Sequence, residues 1–152
     1  MSDFSGLKKS LEISSDAKKF YLTDITLFSK DSGKQEIPWF MIRHAGESNA
    51  KYFNKLLKLN KKAARKIQAG NADVDTIEEI RDTDRDIFFD TEVIVGWGNV
   101  FNSNGEVSKF SKEHWDDFSS SLPNWLFDKI RNFGADQFNF VDSCDIKEIA
   151  KN

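Results

Sequence analysis

The sequence predicts an α+β domain, mainly α-helical. It reads as an N-terminal antiparallel β-hairpin followed by an antiparallel helix pair, a short turn or β excursion and two short C-terminal helices. Three observations carry this reading. Aromatic and β-branched residues gather in two early runs, Lys19 to Phe28 and Ile37 to Arg43, which is strand chemistry. From Ser48 onward the apolar spacing changes to the helical period. After residue 95, glycine, Asn-Gly, serine and proline cut the chain into short pieces, each too brief for a long element.

At 152 residues the chain has the length of one domain with a sizeable core. Residues 1–18 read as a flexible N-terminal arm, 19–140 as a single domain and 141–152 as a polar C-terminal tail. Hydrophobic residues make up 39% and charged residues 31%, a balance that points to exposed helical faces. A 13% aromatic share argues against disorder, because such side chains build cores. The net charge of −3 makes no electrostatic case for nucleic acid from the whole chain. A lone Cys144 cannot form an internal disulfide. No basic flank precedes an apolar run at the start, and no run approaches a membrane span. These features together predict a soluble protein of a reducing compartment.

In the first strand, Tyr21, Thr23, Ile25 and Leu27 alternate onto one face. A turn cluster around Asp31-Ser32-Gly33 follows, and Pro38, which lacks an N–H, belongs at a strand start or on an edge. A lone hairpin is marginal in water, so a helix, a third strand or another subunit must lie beside it. Ser48 or Asn49 caps a helix running to about Ala69. At about 100° per residue, Phe53, Leu56, Leu57, Asn60, Ala63, Ala64 and Ile67 share one side. Lys51, Lys55, Lys58, Lys62 and Arg65 form the basic face opposite. Seven cations lie between Lys51 and Lys66 with no acid among them. Gly70 ends this helix. The second, predicted over Val74 to Val95, carries apolar Ile77, Ile80, Ile87, Phe88, Ile94 and Val95. Its remaining surface is acidic: Asp75, Glu78, Glu79, Asp82, Asp86, Asp90 and Glu92. A short connection makes a basic helix and an acidic one antiparallel neighbours. Asp84 and Thr91 interrupt the second apolar stripe and read as satisfied helix-edge groups.

Residues 94–133 hold Trp97, Trp115 and Trp125, three of the four tryptophans. Gly96 and Gly98 flank Trp97 and are expected to stop the preceding helix through positive φ. Ser103-Asn104-Gly105 marks a tight turn between two short extended pieces. Ser111 caps a helix with Trp115, Phe118 and Leu122 at helical spacing, and Glu113 suits its positive end. Pro123 opens a second short helix lined by Trp125, Leu126, Ile130 and Phe133, which Gly134 ends. The candidate core and client-contact residues are Trp97, Phe110, Trp115, Phe118, Leu122, Trp125 and Ile130. Large apolar residues at helical spacing are more often core than binding surface.

Catalytic and cofactor chemistry find little support. His44 and His114 stand in no zinc-binding spacing. The Asn-Gly turn shares part of a calcium loop's pattern but lacks its bidentate glutamate. No nucleophile elbow, Walker loop or Rossmann glycine pattern occurs. No enzyme activity, cofactor or metal is expected.

The segment V-I-V-G-W-G-N-V, an Asn-Gly turn, F-S-K-E and then L-P-N-W-L-F-D-K-I resembles tail assembly chaperones of long-tailed, siphovirus-like bacteriophages. The matching positions are Val95, Gly96, Trp97, Val100, Gly105, Phe110, Ser111, Glu113, Leu122, Pro123 and Ile130, closing on Phe138 or Phe140. The likeness spans about residues 19–140. It implies a non-enzymatic protein that binds the tape measure protein, keeps it soluble and promotes tail-tube assembly, with the tail tube protein as a further partner. It also implies residence in the host cytoplasm, absence from the mature virion and self-assembly around the client as a homo-oligomer. Two other classes stay open: a structural tail or head–tail connector protein of the virion, and a small nucleic-acid-binding regulator using the basic face.

Overall fold

The computed structural model describes residues 4, 6–7, 11–70 and 73–141. The architecture is α+β: a three-stranded antiparallel sheet, a separate two-stranded hairpin, and helices packed around them. Strands β1 (Lys18–Tyr21), β2 (Leu27–Ser29), β3 (Lys34–Glu36) and β4 (Trp39–Ile42) precede helices α1 (Ala50–Gln68) and α2 (Val74–Asp90). Strand β5 (Ile94–Gly98), helices α3 (Lys112–Ser121) and α4 (Asn124–Ala135) and a 3-10 turn (Gln137–Phe140) complete the order.

The single long first strand expected over Lys19 to Phe28 is two strands. β1 pairs with β4, Tyr21 opposite Trp39, while β2 turns back on β3. Leu22, fully buried, makes the break: its N–H donates to the Pro38 carbonyl at 3.0 Å, and Thr23 turns onto Tyr21. The β2–β3 hairpin is therefore nested inside the β1–β4 pair. Its Gly33 has φ +69, a conformation that carries little penalty only without a Cβ.

The second helix stops at Asp90, five residues before its expected end, and Ile94–Gly98 is the third strand that the β1–β4 pair required. The stop is a Schellman arrangement: the Val93 N–H reaches the Phe88 carbonyl at 3.0 Å and the Glu92 N–H reaches Phe89 at 3.1 Å. Glu92 sits at φ 58, where glycine is usual. Beyond it, the β-branched run Val93-Ile94-Val95 favours a strand over a helix. Gly96 and Gly98 do not adopt positive φ; Asn99 does, at φ 57. Gly98 is needed for space instead, since a Cβ there would lie 2.2 Å from the Trp39 ring.

Asn49, rather than Ser48, caps α1: its Oδ1 accepts from the Tyr52 N–H at 3.2 Å, and its Nδ2 donates to the Thr91 carbonyl at 3.2 Å. One side chain thus ties the start of α1 to the end of α2. The helix is rotated from its expected phase. Tyr52 and Leu59 are buried, with Lys66 half-buried beside them; Phe53, Leu56 and Ala63 of the expected face are half-buried too, while Leu57, Asn60, Ala64 and Ile67 face out. Gly134 does not end α4 but lies within it, where a Cβ would come 3.3 Å from Ala45 and Ile42. Before β1, Ile13 bridges Val141 and the Ser14 N–H donates to Phe140 at 2.7 Å, so ordered pairing begins ahead of Lys19. Cys144 lies outside the described residues.

The core runs between the sheet and the helices, through Phe40, Ile42, Phe88, Trp115, Phe127, Ile130 and Phe140. His44 is buried at its margin, with Nδ1 at 2.5 Å from the Ser48 hydroxyl and its ring 5.4 Å from Phe140. Burial lowers its pKa, against the opposing effects of a hydrogen bond to the Ala135 backbone and of the Asp136 charge. A depressed histidine stabilises the fold above its unfolded pKa of about 6.5, and that stability is lost as pH falls. The urea midpoint should therefore drop between pH 7.5 and 5.5. His44→Gln should show a clearly smaller drop over that window, and equal slopes for the two proteins would disprove the assignment.

Candidate functional site

Residues 94–133 form two surfaces from one set of rings. β5 carries Trp97 inward, and α3 brings Trp115 and Phe118 against it. The Trp97 ring stands edge-on to Phe110 at 5.2 Å and to Phe118 at 5.5 Å, with Trp115 and Phe40 at 6.4 Å. Such edge-on contacts add to simple burial. Both indoles are satisfied: Trp97 Nε1 donates to the Ser108 carbonyl at 2.8 Å, and Trp115 Nε1 donates to the Arg85 carbonyl at 2.9 Å. The structure thus brings Trp97, Phe110, Trp115 and Phe118 together. Leu122 and Ile130 are buried nearby in the same core. Trp125 departs from the expectation of burial: it is 59% exposed, and Leu126 and Phe127 occupy the inner face of α4.

On the outer side of this cluster lies a groove of about 560 Å³. Ile25 and Leu27 form one wall, Val100, Phe101 and Val107 the second, and Phe118 and Leu122 the floor along α3. The second wall is the Asn-Gly excursion. Phe101 bridges Val107, the Asn102 N–H donates to Glu106 at 2.9 Å, and Gly105 takes φ +77 at the turn. Asn102 Oδ1 accepts from the N–H groups of Asn104 and Glu106, which fixes the loop. Val107 is 64% exposed on the groove's lip. His114, Asp117 and Ser121 supply a polar rim. The His114 Nδ1–H donates to the Lys109 carbonyl at 2.5 Å, so that ring is held by its own helix start. An apolar floor with a polar edge suits an amphipathic segment of another protein.

The basic-face residues Lys51, Lys55, Lys58, Lys62 and Arg65 are all exposed along α1. Lys62 and Lys66 each reach Glu79 of α2 at 3.3 Å, and hydrogen bonds from Lys66 and Lys62 hold that carboxyl below its ordinary pKa. Exposed pairs of this kind contribute little to stability.

The polar interior was not legible as a unit. Asp84 is no helix-edge group: it is 2% exposed and ion-paired with Arg131 of α4. Arg85 is also buried, donating to the Ser119 carbonyl, to the Leu122 carbonyl at 3.0 Å and to Asn124 Oδ1 at 2.9 Å. The Phe127 ring lies under both guanidinium groups, at 4.9 Å from Arg85 and 5.6 Å from Arg131. Burial lowers the pKa of both arginines. These side chains fasten the helix pair to α3 and α4. The signal was Asp84 in an apolar stripe, together with Phe127 and Arg131 one helical turn apart.

Among the described residues, no group of three or more His, Cys, Asp or Glu is placed to hold a metal ion. No helix among them is long and apolar enough to cross a membrane. Comparison with protein-family models, characterised proteins and solved structures gave no match.

Proposed function

We propose that this protein is a phage tail assembly chaperone that holds an amphipathic segment of the tape measure protein in the groove over α3. The observation that carries the reading is the groove itself. It is apolar and open, and it is built from Leu122 and neighbours inside the same stretch of sequence that resembles the chaperones. A chaperone for a long helical client needs an accessible apolar surface backed by a rigid core. Here the Trp97–Trp115–Phe118 cluster supplies the backing. Shielding the client in the host cytoplasm and handing it to the tail tube protein follow from the same proposal.

Co-expression with the tape measure protein of its own phage tests it. The wild-type chain should keep that client soluble and co-purify with it. Val107→Glu places a charge on the lip of the groove at an exposed position; it should keep its melting temperature and lose the client. A client that precipitates beside the wild-type protein would end the reading, as would stoichiometric recovery of the protein from purified virions.

A further inference from the structure

The α1–α2 pair has a second surface, on the side turned away from the body. Leu56, Asn60, Ile80 and Asp84 line a cleft with Phe127 and Arg131 of α4, which fixes the body-facing side of both helices. The charges occupy the other side. On α1, Lys51, Lys55, Lys58, Lys62 and Arg65 follow one another at three- and four-residue intervals and are exposed. On α2, Asp75, Glu78, Glu79, Asp82 and Asp86 form an exposed stripe of the opposite sign. Within the chain the two stripes barely neutralise each other. Among the described residues, Lys62 and Lys66 share the single carboxylate of Glu79. Asp86 is taken by Lys112 of α3. Among the described residues, Lys51, Lys55, Lys58 and Arg65 form no ion pair, and neither do Asp75, Glu78 and Asp82.

We infer that this back surface is a self-association face whose occupant is a second copy of the same chain. A positive stripe beside a parallel negative stripe is its own complement. A two-fold axis along the helices sets α1 of one copy on α2 of its partner, and the reverse, which is the isologous closure a dimer requires. The bodies then lie on the outer sides and do not collide. Because the contact is charged rather than apolar, its association is weak, and it weakens further with salt as the charges are screened. The face is separate from the groove over α3, so its test is independent of client binding.

Sedimentation velocity at high protein concentration reads the outcome. The wild-type chain should show a dimer at low ionic strength and a monomer in half-molar salt. Lys55→Glu/Lys58→Glu/Arg65→Glu should be monomeric at low salt, as should Asp75→Lys/Glu78→Lys/Asp82→Lys. All six positions are exposed, and circular dichroism confirms that each variant is folded. Mixing the two variants restores both contacts: one pairs the two wild-type stripes and the other pairs the two reversed stripes, and the signs are opposite in each. The mixture should therefore dimerise as a heterodimer at low salt. A wild-type monomer at low salt, a dimer indifferent to salt or to charge reversal, or a mixture that stays monomeric would each overturn the inference. Salt-sensitive DNA binding lost in the α1 variant, without a protein dimer, would assign the basic stripe to nucleic acid instead.

Discussion

Arg85→Met should lower the unfolding free energy by about 3–5 kcal/mol, read as a fall in urea midpoint with little change in slope. The native guanidinium serves three acceptors at the junction of α3 and α4: the carbonyls of Ser119 and Leu122 and the Asn124 side chain. The Ser119 carbonyl also accepts from the Leu122 N–H at 3.2 Å, and Leu122 is the residue that caps the end of α3. Methionine fills much of the stem's volume but donates nothing. Each hydrogen bond lost from a charged donor costs about 1.5–3 kcal/mol, and the cation–π contact with Phe127 at 4.9 Å adds about 1 kcal/mol. Removing a buried charge returns part of its desolvation cost, which keeps the sum at the stated size. Against a total stability of about 5–15 kcal/mol for a domain, the loss is large. Arg85→Lys is the informative partner. One ammonium cannot reproduce the planar fork, so it should recover only part of the loss. An Arg85→Met protein within about 0.5 kcal/mol of wild type would mean that the three acceptors are served by water.

The same junction shows where sequence reasoning stopped. The helix pair, the Asn-Gly excursion and the Ser111 cap were legible because local chemistry determines them. Asp73 and Ser111, for instance, accept from backbone N–H groups three residues on. β5 was not. Ile94 and Val95 continue the spacing of Ile87 and Phe88 well enough to pass for helix, and the residue that ends the helix is Glu92 rather than a glycine. The phase of α1 was ambiguous for a related reason. Leu57, Ala64 and Ile67 extend the stripe of Phe53, Leu56 and Ala63 as regularly as Tyr52 and Leu59 do. Only the position of Phe88, whose ring stands edge-on to Tyr52 at 5.5 Å, decides between them. The break at Leu22 depends on the Pro38 carbonyl sixteen residues away. Of the candidate contact residues, helical spacing found the ring cluster but could not tell Phe118, which floors the groove, from Trp125, which faces outward elsewhere.

Trp115→Ala should be the most damaging change to the core, at about 3–5 kcal/mol, the range for emptying a buried tryptophan site. Its ring is 0% exposed and touches the Trp97 and Phe127 rings at 6.4 and 6.2 Å. Its loss leaves a cavity between β5 and α4 and removes the indole hydrogen bond to the Arg85 carbonyl. Trp97 makes more ring contacts but is half-buried, so Trp97→Ala should cost less while lowering Phe118 into the space it leaves. The two substitutions therefore separate folding from binding. Trp115→Ala should lose client and melting temperature together, whereas Trp97→Ala should reduce stability less and still deform the groove floor. Trp115 and Arg85 also share the Phe127 ring, which lies 6.2 Å from the indole and 4.9 Å from the guanidinium, so the double variant Trp115→Ala/Arg85→Met should lose less than the two single losses added. Strict additivity in denaturant titrations would show that the ring cluster and the buried arginine hold the helices independently, and the junction would then be two fastenings rather than one.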